Sequence, residues 1–428
     1  MSGMDMLQLL RDQKDELESG LSKKRIITRE VEDHPKGVLG SKLIKAIIGV
    51  RRCGKSVLGH SLMKGKRFAY VNFDDERLYN PDTDKIMSAI YEIYGKDFTF
   101  MFLDEVQNLE RWELFVNRLH RAGLNIVVTG SNSKLLSKEL ATHLTGRHLT
   151  IELLPFSFRE HLKAVDFSED RQTTKGISAL KREFNHYLAN GGFPEIVMEK
   201  ENPGAYLRNL YSTLIERDII SRYNISYKKT FKEIAINLIS NPGRGVSYNK
   251  LKNQYSLGSE HTVKNYLSYM EEAYLIFFLS RFSCKPVEIE KSDKKAYAID
   301  TGMANNLMTG SSNDYGHIYE NAVAIELLRQ KSFNPRLEVY YWKNVQHEEL
   351  DFVVKQGTKA EQLMQVCYNL DDYNTKKRET TALLKASKEL QCKNLLIITG
   401  DYEAEERINN KTIKFIPLWK WLLKEANH

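Results

Sequence analysis

Short apolar runs rich in β-branched residues alternate with longer stretches of helical length through the first third of the chain. A nearly all-apolar run of about four to eight residues is typical of a strand buried on both faces of a parallel sheet. Five such runs are present, at residues 43–50, 68–73, 99–103 and 124–129 and in a fifth that Arg147 opens. The pattern predicts an α/β domain with a parallel sheet over residues 1–160.

The rest of the chain divides into three further regions. Apolar positions at helical spacing predict a small helical lid over residues 161–225. Three helical stretches and an apolar β-type run, LIFFLSRF, then predict a winged helix over residues 226–284. A helix and three strand-like runs occupy residues 285–428. The length of 428 residues is too great for one ordinary core and agrees with several domains.

A glycine-rich loop joins the first strand to the first predicted helix. Residues 49–56 read GVRRCGKS and match the pattern G-x-x-x-x-G-K-S in the strand-to-helix context that it requires. Glycines let the loop turn its N–H groups toward a triphosphate, while Lys55 reaches the β and γ phosphates and Ser56 offers a hydroxyl to Mg²⁺. The sequence therefore predicts binding of ATP with Mg²⁺. The predicted loop contacts are Gly49, Arg52, Cys53, Gly54, Lys55, Ser56 and Val57.

The third strand delivers two carboxylates to its C-terminal end, where ligands bind in parallel α/β sheets. It reads TFMFLDE and ends in Asp104 and Glu105. Asp104 is predicted to hold Mg²⁺ together with Ser56, and Glu105 is predicted to polarise the attacking water, which makes it catalytic beside the loop lysine. The acids after the second strand, Asp74 and Asp75, are better interpreted as solvated side chains.

Small polar residues follow the fourth strand. Thr129, Ser131 and Asn132 would lie near the γ-phosphate and sense hydrolysis, although such a cluster is also an ordinary strand-to-helix turn with an N-cap. Arg147 would stabilise transition-state charge in a neighbouring subunit's site, but its spacing alone is equally typical of a surface arginine. Cys53 could carry a redox switch, although its position in the loop tolerates many residues.

Composition limits the remaining choices. Sixty-three Lys and Arg against 56 Asp and Glu give a formal charge of +7, which permits a polyanionic partner without requiring one. No run reaches the ~18 to 20 apolar residues of a membrane-spanning helix, and the first residues are charged too early for a secretory signal. The four cysteines lie far apart. We expect a cytoplasmic protein with free thiols and no membrane association.

These motifs resemble a prokaryotic family of AAA+-like P-loop ATPases with a G-x-R-R-x-G-K-S loop and a C-terminal domain of unknown function. The loop at 49–56, LDEVQ at 103–107 and TGSNS at 129–133 match the family's Walker A, Walker B and sensor regions. LTGR, LLPFSFRE, GGFPE and RDI follow in the family's order, so the resemblance covers most of the chain. It implies an oligomer-forming ATPase with Arg147 as a catalytic finger. We expect a homo-oligomer, for which a ring of six or seven subunits is plausible, but the sequence does not reveal the subunit number.

Residues 226–284 resemble a winged helix-turn-helix. Ser259 is a predicted N-cap of the third helix, which would lie in a DNA groove with its first turns against the bases. The residues predicted to contact DNA are Thr262, Lys264 and Asn265 in the groove and Lys250 and Lys252 at phosphates. Winged helices in ATPases also serve as packing or dimerising modules, and that alternative stays open.

The C-terminal region resembles the restriction-endonuclease-like fold and is interpreted as a degenerate PD-(D/E)xK domain. In active members a helix Glu, a strand Asp and an acid-x-Lys on the next strand bind metal and activate water. Glu320 and Asp351 match the first two positions, but Gln365 and Cys367 stand where the acid and the lysine belong. We predict no cleavage activity and a DNA-binding or assembly platform. Glu349 leaves room for a rearranged metal site.

Three functional classes follow. The leading interpretation is an oligomeric, Mg²⁺-dependent ATPase that binds DNA and uses turnover for translocation or remodelling. The alternative is a slow nucleotide-dependent switch or scaffold that binds protein partners in signalling or defence. Its signature would be a missing Walker B glutamate or finger arginine, and both residues are present here. The third class, a nuclease, is disfavoured by Gln365 and Cys367.

Overall fold

A computed structural model describes residues 3–22, 25–32, 40–131, 147–283, 285–307 and 315–424. The chain forms two compact units, residues 1–155 and 156–428. Each unit contains its own β-sheet. Among the helices of the described ranges, none combines the length and the apolar character needed to cross a membrane.

The first unit is built on a five-stranded parallel sheet, as the apolar runs predict. Its strands are β1 (Ile44–Gly49), β2 (Phe68–Asn72), β3 (Phe100–Asp104), β4 (Asn125–Gly130) and β5 (His148–Leu153). They lie in the order β2-β3-β4-β1-β5 and pair in parallel throughout. β4 therefore lies between the strand that precedes the loop and the strand that ends in the two acids. The C-terminal residues of β4 therefore lie next to the C-terminal ends of both β1 and β3.

Four described helices accompany this sheet: α1 (Gly3–Ser22), α2 (Lys55–Met63), α3 (Thr83–Tyr94) and α4 (Trp112–Arg121). Helix α2 begins directly after the loop and packs so closely on β3 that a Cβ at Gly59 would lie 2.3 Å from the Phe102 ring. Helix α1 packs against α3 and β2. The Gln13 side chain bonds both the N–H and the carbonyl of Asn72 at 3.0 Å, which satisfies part of an edge strand.

The second unit begins with a helical segment. It comprises α5 (Phe158–Ala164), α6 (Thr174–Asn190), α7 (Pro194–Glu199), α8 (Pro203–Thr213), a π-helical stretch (Leu214–Ile220) and α9 (Ser221–Tyr223). A capping box starts α5, because Ser157 and Glu160 each accept a backbone N–H from the other, at 2.9 and 3.1 Å. The Arg159 guanidinium donates to Glu326 at 2.7 Å. The LLPFSFRE segment therefore anchors α5 within its unit.

Three helices and three short strands follow: α10 (Lys228–Ile239), β6 (Gly245–Val246), α11 (Tyr248–Gln254), α12 (Glu260–Glu272), β7 (Ile276–Arg281) and β8 (Lys294–Ala298). The three helices and the β7 run are confirmed predictions. Both β6 and β7 pair antiparallel with β8. Ser259 caps α12 as predicted, since its hydroxyl accepts the Thr262 N–H at 3.1 Å. Between α10 and α12, Phe231 meets the Tyr266 ring edge-on at 5.0 Å.

The remainder contains α13 (Pro286–Lys291), α14 (Thr301–Leu307), α15 (Tyr315–Phe333), β9 (Leu337–Lys343), β10 (Glu349–Gln356), β11 (Lys359–Cys367), α16 (Tyr373–Glu389), β12 (Leu395–Thr399), β13 (Ala404–Ile408), β14 (Lys411–Pro417) and α17 (Leu418–Leu422). The predicted helix and three strands are α15 and β9 to β11. The sheet order is β13-β14-β12-β11-β10-β9-β7-β8-β6. Strands β9, β10 and β11 are antiparallel neighbours, and β12 runs parallel to β11.

The sheet of the second unit is continuous across the predicted division at residue 284. Strand β7 pairs with β8 on one side and with β9 on the other. Buried side chains of β10, β11 and α16, among them Leu350, Leu363 and Leu383, form one apolar cluster on this sheet. The finer divisions at residues 160, 225 and 284 stay predictions.

Candidate functional site

The glycine-rich loop turns sharply between β1 and α2. Gly49 has a φ of 154°, and a Cβ there would lie 2.0 Å from the Leu153 carbonyl oxygen. Gly54, with a φ of 95°, is the residue directly before α2. A side chain would be strained at either position, so both glycines are required by the path of the loop. The loop delivers the chain to a helix N-terminus, which is suited to bind phosphate.

The loop is held from outside by residues beyond the motif. The Cys53 thiol is fully buried and donates to the Leu153 carbonyl at 3.3 Å. The Arg29 guanidinium donates to the Cys53 carbonyl at 2.9 Å and to the Leu154 carbonyl at 2.6 Å. Burial raises the pKa of the Cys53 thiol. The thiol is therefore a packing group with little thiolate character, and a redox switch at this position is disfavoured.

Lys55 lies at the centre of the site, almost fully buried. Its ammonium is 3.2 Å from the Val50 carbonyl oxygen, to which it donates, and 3.4 Å from Glu105 Oε1. Ser56 and Val57 follow in the first turn of α2. The sequence predicts Lys55 and Glu105 as functional residues, and the structure brings them together.

Asp104 is surrounded by hydroxyl groups. The hydroxyls of Thr129, Ser56 and Tyr70 donate to its carboxylate, the last of them at 3.3 Å. Burial, followed by the neighbouring Glu105 charge, raises the pKa of Asp104. A buried carboxylate next to a serine hydroxyl fits the hard oxygen ligands that Mg²⁺ prefers, and a cation would stabilise the ionised form.

Glu105 adopts an unusual backbone conformation, with φ 48° and ψ 46°. Its N–H donates to the Thr129 hydroxyl at 2.8 Å, and its Oε2 accepts from the Gln107 amide at 2.5 Å. Burial alone would raise the pKa of Glu105, but the Lys55 ammonium and the Gln107 amide offset it and hold the pKa below its usual value. Glu105 is therefore an ionised acceptor held in one orientation, as a residue that orients water requires.

Two of the three predicted sensor residues lie within the described part of the chain. Thr129 is buried between the two Walker B acids, and Ser131 lies 3.5 Å from the Gln107 amide. Asn132 lies outside the described residues. The sequence placed Thr129 near the γ-phosphate, but it did not reveal that the Thr129 hydroxyl donates to Asp104 and accepts the Glu105 N–H.

Arg147 lies at the N-terminal end of the strands, whereas the loop lies at their C-terminal end. It is exposed and precedes β5, and its carbonyl accepts the Ile44 N–H at 2.9 Å, where β1 begins. The loop leaves β1 at the other end of a six-residue strand, which spans about 20 Å. Arg147 is therefore remote from nucleotide bound to its own chain, and its role as a finger for a neighbouring subunit stays a prediction.

Two loop arginines and two acids flank the site. The Arg51 guanidinium lies 4.0 Å from Asp74, while Arg52 is exposed at a φ of 69°. Asp75 caps a short 3₁₀ turn and pairs with Arg77 at 2.9 Å. Asp75 is only 13% exposed and also accepts from Gln13, so it has a local structural role and is not a solvated side chain, whereas Asp74 is exposed.

A second charged cluster lies in the second unit, where the nuclease-like region was predicted. The Lys295 ammonium, on β8, is 2.9 Å from Glu320 on α15, 2.8 Å from Glu349 and 3.1 Å from Asp351, both on β10. The Tyr297 hydroxyl also donates to Glu320, at 2.7 Å. Lys295 was missed in the sequence because its contacts are all distant along the chain.

The two residues in the acid-x-Lys position take no part in binding that ammonium. Gln365 donates to Glu379 at 2.8 Å and accepts the Asp351 N–H at 3.2 Å. The Cys367 thiol donates to the Asn369 carbonyl at 3.2 Å. Burial raises the pKa of Asp351 to about 6, with Glu320 adding to the rise. The lysine lies among the acids as their counter-ion.

Family models match three regions of the chain. A family model described as an AAA domain matches residues 41–162. Two domains of unknown function, DUF8612 and DUF4143, match residues 181–314 and 315–421. The Walker-type ATPase PABY2304 of Pyrococcus abyssi is a structural likeness at 13% identity and a TM-score of 0.42, which covers 66% of this chain and 96% of that chain.

Two curated proteins match over nearly their whole length. The uncharacterised protein MJ1544 of Methanocaldococcus jannaschii is 37% identical over 421 residues, 94% of this chain and 92% of its own. An uncharacterised protein of Haemophilus influenzae is 30% identical over 403 residues, 89% of this chain and 94% of its own. The chain therefore belongs to the same protein family as MJ1544, and its residues 41–162 form an AAA domain of the P-loop ATPase type.

Proposed function

We propose that this protein is a Mg²⁺-dependent ATPase that assembles into a ring, binds DNA and couples hydrolysis to translocation or remodelling. The observation that carries the ATPase half is the ion pair of Lys55 with Glu105, 3.4 Å apart at the end of the glycine-rich loop. Asp104 lies at the same end of the strands, where its carboxylate accepts hydrogen bonds from the hydroxyls of Ser56 and Thr129. Lysine, metal-binding acid and water-orienting acid are the groups that phosphoryl transfer from ATP to water requires.

The pairing suggests how the site responds to ATP. A triphosphate in the loop would attract the Lys55 ammonium to its β and γ oxygens, because phosphate carries more negative charge than one carboxylate. Glu105 would then be released to accept a hydrogen bond from the attacking water. Mg²⁺, held by Ser56 and Asp104, would neutralise charge on the phosphate oxygens. Thr129 keeps both acids in place while Lys55 changes partner.

A neighbouring subunit would supply the remaining cation. The exposed Arg147 lies at the edge of the sheet remote from its own loop. Such a position suits an arginine that enters the next subunit's site and stabilises charge on the transferring phosphoryl group. This part of the proposal requires oligomerisation, and hydrolysis should therefore rise more than linearly with protein concentration.

The DNA half of the proposal is supported by the arrangement of residues 228–298. Three helices, α10 to α12, precede the antiparallel β7–β8 pair, and β6 joins the other side of β8. Helix–strand–helix–helix–strand–strand is the order of a winged helix, in which the third helix reads the major groove. We take α12 as that recognition helix and the β7–β8 connection as the wing.

Side chains on the proposed surface suit a polyanion. Lys250 and Lys264 are exposed, and the Lys264 ammonium lies 5.2 Å from the Tyr248 ring centroid. Thr262 and Asn265 are partly exposed in the first turns of α12. Lysines at a helix face bind phosphates, while hydroxyl and amide groups can bond base edges.

The degenerate nuclease-like region would act as a platform and not as a cleaving site. Support for this interpretation comes from helix α15, the antiparallel neighbours β9, β10 and β11, and strand β12 parallel to β11. Gln365 and Cys367 are engaged in local bonds, and the Lys295 ammonium is held by three carboxylates. A lysine held in this way is poorly placed to act on a phosphodiester.

The DNA half can be tested by measuring ATP hydrolysis and equilibrium binding with single-stranded, duplex and forked DNA at low and moderate salt. Lys250→Ala and Lys264→Ala should each weaken binding and lower the salt slope by about one. Lys175→Ala, at a lysine 81% exposed on α6, is the matched control. No binding of any DNA at low salt, with hydrolysis unchanged by DNA, would contradict this half and leave the ATPase half intact.

The oligomeric state in the presence of ATP distinguishes a motor from a nucleotide-dependent switch. Native mass measurement of Glu105→Gln with ATP and Mg²⁺ should show a closed ring of six or seven subunits if the protein is a motor. A protein that stays monomeric, hydrolyses slowly at every concentration and ignores DNA would instead support the nucleotide-dependent switch or scaffold. The protein should not nick plasmid DNA with Mg²⁺ or Mn²⁺. Nicking would support the third class, a nuclease.

A further inference from the structure

Three potential metal ligands meet between α5 and α6 in the second unit. His161 lies on α5, while Glu183 and His186 lie on α6. Each offers one ligand atom, and the three atoms lie within 4.8 Å of one another. Sequence inspection did not group them because 22 residues separate the histidine of α5 from the acid of α6.

The spacing along α6 brings two of the ligands to one face. Glu183 and His186 are three residues apart, and residues at that separation are neighbours on a helix surface. A Glu-x-x-His pair on one helix is a recurrent way to bind a transition metal between helices. His161 approaches from the adjacent helix and completes a set of two imidazoles and one carboxylate.

The ligand atoms of His161 and Glu183 have the separation of two ligands of one metal ion. His161 Nε2 lies 3.4 Å from Glu183 Oε2, long for a charge-assisted hydrogen bond. Ligands at roughly 2.0–2.1 Å from a tetrahedral ion lie about 3.3–3.4 Å apart, so a zinc-sized ion would fit between these two atoms. The His161 and His186 ring centroids are 6.0 Å apart, and His186 is exposed. A side-chain rotation of His186 can therefore close the set.

His161 is prepared for such a role by its surroundings. Its side chain is fully buried, between the Phe158 ring at 6.2 Å and the Tyr187 ring at 5.6 Å, which fix the imidazole plane. Its Nδ1 is buried and has no hydrogen-bond partner within the described residues.

We propose that His161, Glu183 and His186 bind one zinc-class divalent ion that links α5 to α6. Two imidazoles favour Zn²⁺, Co²⁺ or Ni²⁺ over Mg²⁺ and Ca²⁺, which prefer oxygen ligands. Three protein ligands leave one position of a tetrahedral ion open to water. Because Arg159 anchors α5 to Glu326, the ion would stiffen the start of the second unit. The proposal is independent of ATP binding and of DNA.

The test uses the full-length chain without a histidine tag. After equilibration with micromolar Zn²⁺ and removal of free metal, elemental analysis should find one tightly bound ion per chain. Co²⁺ in its place should give the strong visible bands of tetrahedral coordination. His186→Ala, a change at an exposed residue, should weaken Zn²⁺ binding by about 100-fold, at least as much as loss of an outer-shell partner does in known sites. Glu183→Gln should weaken it similarly.

A matched control is His261→Ala, at an exposed histidine on α12 of the same unit. It should bind Zn²⁺ as the unaltered chain does. His161→Ala removes a buried group and can perturb folding, so the conclusion depends on His186→Ala, with its circular dichroism spectrum as a check. Absence of bound Zn²⁺ in the unaltered chain, or equal binding by His186→Ala, would overturn the proposal.

Discussion

The Lys55 ammonium lies 3.4 Å from Glu105 Oε1, so the lysine that would hold ATP is paired with the acid that would orient water. Lys55 is 4% exposed and Glu105 14% exposed, which keeps this pair in a low-dielectric environment. One ion pair thus links two functions. Glu105 neutralises Lys55 in the structure, and Glu105 would be needed to orient water once a phosphate has taken its place beside Lys55. Substitutions at the two ends should have different effects.

Glu105→Gln should bind ATP with Mg²⁺ and hydrolyse it about 10² to 10⁴ times more slowly, the range that a positioned general base supplies. The amide retains the shape of Glu105 but cannot polarise water. Steady-state phosphate release and equilibrium binding of a fluorescent ATP analogue measure the two effects separately. Glu76→Gln changes an exposed acid near the same edge and is the control. Normal turnover in Glu105→Gln would remove the assignment.

Lys55→Ala should abolish nucleotide binding at micromolar concentrations. It removes the ammonium that meets the β and γ phosphates and leaves the buried Glu105 carboxylate without its nearest cation. That uncompensated charge would repel a triphosphate as well as destabilise the loop. Calorimetric titration with ATP and Mg²⁺ is the measurement. Retention of binding close to that of the unaltered chain would show that the loop does not hold the phosphates.

Thr129→Val should lower turnover more than it lowers ATP affinity. The Thr129 hydroxyl donates to Asp104 and accepts the Glu105 N–H at 2.8 Å, so valine leaves a buried N–H unpaired between the two acids. An unsatisfied buried donor costs about 1–3 kcal/mol. Thr129→Ser keeps the hydroxyl and should restore most of the rate. Equal rates for the valine and serine variants would mean that the hydroxyl does not position the acids.

Much of the arrangement around the glycine-rich loop could be predicted from the sequence, because its groups belong to short local motifs. Lys55 and Ser56 follow from a loop between a strand and a helix, and the parallel sheet brings Asp104 and Glu105 to the same edge. Strand β4 lies between β1 and β3, which places Thr129 between the loop and the two acids. Each of these inferences needs only an apolar run and the short motif that ends or follows it.

Groups that act across long chain distances were not predictable in this way. Arg29 holds the loop from a segment without helix or strand periodicity, and Tyr70 lies inside an apolar run where its hydroxyl gave no signal. Lys295 meets acids from α15 and β10, 25 to 56 residues away. No spacing pattern encodes such meetings, because they depend on the pairing order of the second sheet.

Lys295→Met should destabilise the second unit by about 3–5 kcal/mol, the cost of removing one partner of a buried charge cluster. The lysine is 4% exposed and neutralises three carboxylates, which would otherwise repel one another. Denaturant unfolding followed by tryptophan fluorescence measures the change. Lys285→Met, at a lysine 77% exposed, should have little effect. Equal stability of both variants would show that the cluster is not a structural charge pair.

Asp300 should make the second unit less stable as pH rises from about 4 to 6. Its carboxyl is buried, and burial raises its pKa from 3.8 to about 6, although backbone N–H groups of Gly192 and Met303 favour the ionised form. A raised folded-state pKa stabilises the fold fully below the unfolded-state pKa, and that stabilisation is lost as pH passes the folded-state value. The loss should reach roughly 2–3 kcal/mol, at about 1.4 kcal/mol per pKa unit.

The test compares Asp300→Asn with the unaltered chain by denaturant unfolding at several pH values, because asparagine does not titrate. The stability difference should move in favour of asparagine between about pH 4 and pH 6 and then stay constant. Asp371→Asn, at an exposed carboxyl, is the matched control. A stability difference for Asp300→Asn that does not change with pH would mean that ionising the buried carboxyl costs nothing. In that case the N–H groups around it would fully replace the water that burial removes.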